Sequence, residues 1–225
     1  IQALAVSPID SYECEEYVQQ AKEKGISVYA CDTPIEDADV PYIGIDNEKL
    51  GYELGEQLAR ALDHKGKIGV IAGDFNQAGH RMRVNGFEKY MEKEPGITIE
   101  MVRNGYSNMQ VSQKDVDEIL KKYPEVDGVV AGNDIVAMSV YKVFTRHGKK
   151  IPQEVQLVGF DDVGFGELFI PELTTIHQPI KEMGHLAAEI ILKAVNGEPY
   201  EKKNVFDVKL IERETTKNNR NLKFA

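Results

Sequence analysis

Short apolar segments alternate along the chain with longer amphipathic segments. Strands are predicted at 4–6, 26–30, 41–45, 67–72, 97–102, 127–131, 155–160, 174–177 and 205–213. Helices are predicted at 13–24, 47–64, 79–92, 111–122, 135–147 and 180–195. Strands that are apolar throughout and are separated by helices are typical of parallel sheets covered on both faces. The pattern therefore predicts an α/β fold with doubly wound parallel sheets.

Polar residues follow most of the predicted strands. In parallel sheets, ligands bind outside the carboxyl ends of the strands. The residues at these ends are Ser7, Asp32, Asp46, Asp74, Tyr106, Asn133, Asp134, Asp161, Asp162 and Gln178. Carboxylates and amides can bridge neighbouring hydroxyl groups, and an aromatic ring can cover the C–H face of a sugar. The set favours a polyol ligand, although Asp46, Asn133 and Asp161 taken singly could equally be helix N-caps.

Composition and charge exclude several functional classes. The 225 residues carry a net charge of −10, with 42% hydrophobic and 28% charged residues, which is typical of one large or two small globular domains. No apolar run approaches the length of a membrane span. The acidic balance repels phosphate, so this chain is not expected to bind DNA by itself.

No enzyme motif is found in the sequence. A nucleophile elbow, a phosphate-binding GxxxxGK[ST] loop, a GxGxxG fingerprint and zinc-ligand spacings are all missing. Asp161 and Asp162 could form a catalytic or magnesium-binding pair, but neighbouring residues that leave a strand point in different directions. We therefore expect a protein that is not an enzyme and that needs no cofactor and no metal.

Two cysteines, Cys14 and Cys31, form no CxxC pair. They are interpreted as free, reduced thiols of a cytoplasmic protein, with a disulfide as the alternative. The sequence opens at Ile1 in a predicted strand, without Met. We expect it to be part of a longer protein.

Several motifs together resemble one known family. They are Asp46-Asn47, 83–87 (RVNGF), 132–137 (GNDIVA), 151–155 (IPQEV), 158–162 (VGFDD), 173–179 (LTTIHQP) and Arg213 with Thr215-Thr216. The series resembles the effector-binding domain of the lactose-repressor/galactose-repressor family of bacterial transcription regulators. The resemblance covers essentially the whole chain, and its C-terminal half favours repressors over type I periplasmic sugar-binding proteins.

The resemblance implies two α/β subdomains joined by three crossovers, with a small sugar in the cleft between them. It implies an N-terminal subdomain of residues 1–64 and 178–204, incomplete at its start. It also implies a C-terminal subdomain of residues 65–177 and 205–216, followed by a tail at 217–225.

The resemblance further implies a function and a ligand set. The expected sugar ligands are Asp46, Arg83, Tyr106, Asn133, Asp161 and Gln178. The chain would be the effector-sensing core of a sugar-responsive repressor, in which a homodimer couples subdomain closure to operator DNA through a helix-turn-helix head that this chain lacks. A pentose, a hexose or a sucrose-like disaccharide would suit the site, whereas the relatives that bind a purine favour other residues around the aromatic ring. The alternative is a soluble sugar-binding protein that serves a transporter or sensor.

Overall fold

Helices and strands alternate along residues 1–164 and 170–217, which the computed structural model describes. The helices are α1 (Cys14–Glu23), α2 (Asn47–Ala61), α3 (Ala78–Met91), α4 (Met109–Lys122), α5 (Asp134–Arg146) and α6 (Ile180–Val195). The strands are β1 (Ala3–Val6), β2 (Ser27–Asp32), β3 (Tyr42–Ile45), β4 (Gly66–Ala72), β5 (Ile97–Asn104), β6 (Gly128–Ala131), β7 (Gln156–Val158), β8 (Thr175–Ile176), β9 (Lys203–Phe206) and β10 (Leu210–Ile211). The α/β alternation predicted from the sequence is confirmed.

These elements group into two units. The first comprises Ile1–Asp46, Asn76–Arg81 and Gln178–Val208, and the second comprises Asn47–Phe75, Met82–His177 and the described residues from Lys209 onward. Each unit contains a parallel sheet with helices packed on it.

The first unit is built on a parallel sheet that, in the described residues, has the strand order β1-β2-β3-β9. Helices α1 and α6 pack against it. The core at α1 includes Val18, Val28 and Ala30. After α1, Gly25 takes a left-handed φ of 71°, a conformation that glycine adopts without steric cost and that commonly ends helices.

The second unit has a parallel sheet with the order β5-β4-β6-β7 in the described residues. From β4 the chain passes through α3 to β5 on one side, and then through α4 to β6 on the other side of β4. The order therefore reverses between β4 and β6, and ligands of doubly wound sheets bind at such a switch point. The core behind this edge contains Ile71, Val129, Phe144 and Leu157, all buried.

Two glycines bring α2 close to α3. A Cβ on Gly51 would lie 2.0 Å from the carbonyl oxygen of Arg83, and one on Gly86 would lie 1.9 Å from that of Glu48. Only glycine leaves room for this backbone contact at both positions. The contact places Arg83 against the start of α2.

The predicted last strand, 205–213, is wrong as a single strand. Residues 203–206 form β9, parallel to β3, whereas 210–211 form β10, antiparallel to β8. The segment between them changes pairing partner, so its alternating pattern covers two strands in different sheets. The predicted strand 155–160 is also shorter, because regular pairing of β7 ends at Val158.

The observed units differ from the predicted subdomain boundaries at two places. Helix α2 packs against β6 and β7 and belongs to the second unit, although its sequence was assigned to the first subdomain. Residues 205–208 belong to the first unit because β9 pairs with β3. Of the predicted tail, 217–225, all but Lys217 lies outside the described residues.

Candidate functional site

Arg83 lies in the second turn of α3 and is only 7% exposed. Its Nε donates to Asn47 Oδ1 at 2.8 Å, and its Nη1 donates to the carbonyl oxygen of Gly132 at 2.9 Å. The guanidinium carbon lies 3.5 Å from the centre of the Phe160 ring, a cation–π contact. Nη1 also lies 3.6 Å from Asp161 Oδ1. The guanidinium is therefore fixed in position at the carboxyl ends of β6 and β7.

Asn133 has two structural contacts at the start of α5. Its Oδ1 accepts from the N–H of Val136 at 3.0 Å and so caps the helix. Its Nδ2 donates to Ser107 Oγ at 2.9 Å. The cap interpretation of Asn133 is thus confirmed, and its role as a sugar ligand stays a prediction.

Asp161 and Asp162 lie in the connection that follows β7 (residues 160–163, the turn). Both have positive φ, 113° and 53°, which non-glycine residues adopt rarely. The N–H of Asp134 donates to the carbonyl oxygen of Phe160 at 2.8 Å, and the N–H of Val163 donates to Asp134 Oδ2 at 2.9 Å. The backbone on either side of the turn is therefore bonded to Asp134.

The carboxyl group of Asp134 is buried, with 1% of the residue exposed. Its Oδ1 accepts a 2.7 Å hydrogen bond from Thr175 Oγ1 in β8. Burial, and then the nearby charges of Asp161 and Asp162, raise the pKa of Asp134 to about 7 against the opposing hydrogen bonds.

Asp162 has the opposite balance. Burial would raise its pKa, but hydrogen bonds from His177 and Arg213 lower it below the usual value. Nδ1 of His177 lies 2.9 Å from Asp162 Oδ2, and Nη2 of Arg213 lies 2.8 Å from Oδ1. Asp162 is therefore an ion-paired carboxylate of the second unit, which argues against pairing it with Asp161 as an acid–base couple.

Three of the six predicted site residues, Arg83, Asn133 and Asp161, meet at one edge of the second unit's sheet. Tyr106 precedes Ser107, the partner of Asn133, and is 55% exposed with a φ of 52°. Its predicted role as a stacking ring stays a prediction.

The other two predicted residues belong to the first unit. Asp46 directly follows β3 and is exposed, and Gln178 is buried just before α6. The first unit has a further polar group that the predicted ligand set omitted. Ser7 Oγ donates to Asp32 Oδ2 at 3.4 Å, beside a left-handed Asp32 with a φ of 65°.

Sequence reasoning missed the side chains that hold the predicted ligands in place. Asn47 and Phe160 fix Arg83, and Asp134 holds the turn that contains Asp161. Each missed residue directly adjoins a predicted one, at 46–47, 133–134 and 160–161. All three also lie within the motifs that carry the family resemblance, which was a second signal in the sequence.

Further expectations concern metals, membranes and thiols. Within residues 1–164 and 170–217, no group of three His, Cys, Asp or Glu residues is arranged to hold a metal ion. The helices of the same residues include none long and apolar enough to cross a membrane. Cys14 and Cys31 are both free and half-buried, and burial raises the pKa of each thiol.

The two parallel sheets with helices packed on them define a doubly wound α/β protein, and comparison with known sequences identifies the family. Residues 1–199 match the periplasmic binding protein domain family, to which this chain belongs. The predicted fold class is thereby confirmed.

Relatives with assigned names confirm the resemblance to repressors. The ribose operon repressor of Halalkalibacterium halodurans is 32% identical over 140 residues, covering 62% of this chain and 42% of that protein. The transcriptional repressor PurR of Vibrio vulnificus is 30% identical over 177 residues, covering 77% of this chain and 52% of that protein. The chain thus spans about half the length of the curated relatives that it matches.

Solved structures agree on the fold. GanP, a glucose-galactose binding protein from Geobacillus stearothermophilus, superposes with a TM-score of 0.88 at 25% identity. The match covers 95% of this chain and 77% of that protein. The architecture of this chain is therefore also that of a sugar-binding protein.

Proposed function

We propose that this chain is the effector-binding core of a sugar-responsive transcriptional repressor. The observation that carries the proposal is the fixed guanidinium of Arg83 at the switch point of a parallel sheet, with Asn133 and Asp161 beside it. Oriented donors and acceptors of this kind suit neighbouring sugar hydroxyls, which both donate and accept. The effector is a small sugar, and the protein acts by binding rather than by catalysis.

Each residue has a proposed role. Arg83 donates to sugar oxygens, while Asp161 accepts from hydroxyl groups and Asn133 contributes its amide. Asp46, Tyr106 and Gln178 complete the ligand set by family resemblance. Arg83 is suited to its role because a planar guanidinium that is already held loses little side-chain entropy on binding.

The regulatory part of the proposal rests on the relatives. Both repressors described above regulate transcription by name, so we place the protein in the cytoplasm, as a homodimer that meets operator DNA through a separate head. A sugar changes the conformational equilibrium only through its different affinities for the two states. The alternative, a sugar-binding protein that serves a transporter or sensor, is supported by the fold of GanP, but the named sequence relatives favour a repressor.

A panel of small molecules tests the proposal. D-ribose, D-fructose, D-glucose, D-galactose and maltose are each added to the chain while its thermal midpoint is measured, with hypoxanthine as a ligand of different chemistry. We expect one sugar to raise the midpoint in a saturable way, since a ligand bound only by the native state stabilises it. A shift with hypoxanthine and with no sugar would refute the sugar assignment.

A further inference from the structure

Asp134 bonds to both ends of the turn that contains Asp161, while the N–H of Asp161 itself donates to the last carbonyl oxygen of β8 at 3.0 Å. The carbonyl oxygen of Phe160 accepts the N–H of Asp134, and the N–H of Val163 donates to the Asp134 carboxyl group. Between these two bonds lie Asp161 and Asp162, both with positive φ. Non-glycine residues keep such conformations only where the surrounding structure fixes them.

The carboxyl group of Asp134 is itself fixed on its other side. Thr175 Oγ1 donates to Oδ1 at 2.7 Å. A Cβ on Gly159 would lie 2.4 Å from the same oxygen, so the end of β7 accommodates this carboxyl group only because glycine stands there. The carboxyl group thus connects the start of α5 to the turn and to β8.

Helix capping does not account for this buried group. Asn133 already caps α5 with its own side chain. Placing a carboxyl group in the interior costs free energy unless its hydrogen bonds compensate. The carboxyl group of Asp134 instead accepts hydrogen bonds from the N–H of Val163, at the end of the turn, and from the hydroxyl group of Thr175 in β8.

We propose that Asp134 is a positioning residue for the effector site. It holds the turn in the conformation that presents Asp161 to the sugar. The inference rests on the proposed function and adds to it a residue that does not contact the ligand. Asp161 Oδ1 lies 3.6 Å from Arg83 Nη1 in this arrangement. A displaced turn therefore also changes the surroundings of the guanidinium.

Two substitutions separate this role from a general effect on stability. Asp134→Ala removes both side-chain hydrogen bonds. Asp134→Asn keeps an oxygen for the N–H of Val163, and its amide can donate to Thr175, whose hydroxyl group also accepts. Val143→Ala is the matched control, because it makes a cavity in the core of α5 and leaves the turn intact.

Calorimetry on the full chain measures affinity, with D-ribose tested first and then the panel sugar that raises the thermal midpoint. We expect Asp134→Ala to weaken binding at least about tenfold, because a displaced Asp161 carboxylate loses its own hydrogen bond to the sugar. The sugar affinities of Asp134→Asn and Val143→Ala should stay within about threefold of that of the unchanged chain. This is a smaller change than the loss of one hydrogen bond to a charged group causes.

Amide hydrogen exchange provides a readout that needs no ligand. Exchange at Val163 should accelerate at least about tenfold in Asp134→Ala but not in Asp134→Asn, while the amides of β6 keep their protection. Unchanged exchange at Val163, or unchanged affinity in Asp134→Ala, would overturn the positioning role. If the unchanged chain binds no panel sugar, the proposed function fails and the effector role of Asp134 fails with it.

Discussion

Arg83 illustrates at the scale of single residues what the sequence predicts and what it does not. The motif 83–87 singles out the arginine, and the structure places its guanidinium beside Asp161. Its partners Asn47 and Phe160 come from α2 and from the end of β7. Such contacts depend on how elements pack, which spacing along the chain does not encode.

These contacts predict the effect of Arg83→Lys. Lysine keeps the charge but cannot donate to Asn47 and Gly132 together, and it lacks the flat face that stacks on Phe160. We expect sugar affinity, measured by calorimetry, to fall at least about tenfold, since hydrogen bonds to charged groups are worth about 1.5–3 kcal/mol each.

Arg60→Lys provides the control for that substitution. Arg60 lies on α2 with 45% of its side chain exposed, and its Nη2 lies 3.5 Å from Glu56 Oε1. Surface pairs of this kind contribute little to stability, so this variant should bind as the unchanged chain does. Equal affinities in both variants would remove Arg83 from the ligand set.

At the scale of elements, the start of α5 combines two functions in adjacent residues. Asn133 caps the helix, and Asp134 holds the turn after β7. The polar residues at this end of β6 were predicted to bind a ligand, because ligands of parallel sheets bind at the carboxyl ends of the strands. The sequence left two alternatives for Asn133, a helix cap and a sugar ligand. The contacts confirm the cap, and the ligand role stays a prediction.

Asn133→Ser tests the ligand role separately from the cap. Serine also caps helices well, but its short hydroxyl side chain lacks the amide that bonds to Ser107. If the amide binds sugar, affinity should fall about tenfold with little change in the thermal midpoint. Asn133→Ala should in addition lower stability by about 0.5–2 kcal/mol, the usual cost of a lost cap. Unchanged affinity in both variants would leave Asn133 as a cap alone.

The last strands show where pattern reasoning fails for an element. Alternating polarity over 205–213 is correct for a half-buried strand, but periodicity carries no information on the pairing partner. β9 adds to the sheet of the first unit, and β10 pairs with β8 in the second. A strand that changes sheets can be recognised only from the pairing itself.

At the scale of the whole molecule, the sequence predicted two α/β units correctly in kind but not in extent. Helix α2 follows β3 in sequence, and its glycines bring it against α3 and the second unit's sheet. The family resemblance alone assigned it to the first unit. Backbone contacts through Gly51 and Gly86 are a property of the packed pair, which neither helix shows separately.

The stability of the whole molecule should depend on pH through Asp134. Burial, and then the charges of Asp161 and Asp162, raise its pKa to about 7 in the folded chain, against about 3.9 for an unperturbed aspartate. Between these values the folded chain keeps a proton that the unfolded chain has released. The contribution of this retained proton to the free energy of unfolding is therefore fully present below about pH 4 and is lost as the pH rises through about 7.

Comparison with Asp134→Asn isolates this effect, because asparagine does not titrate at this position. Asp162, whose pKa is lowered mainly by His177 and Arg213 against the effect of burial, contributes with the opposite sign but is present in both proteins. Thermal midpoints are measured for both proteins from pH 5 to pH 8. The unchanged chain should lose stability relative to the variant as the pH rises, by at most roughly 1.4 kcal/mol per pH unit, and the difference should level off above pH 8. A difference that does not change with pH would mean that Asp134 is ionised throughout this range, and the buried carboxylate would then need a compensating partner other than Thr175 and Val163.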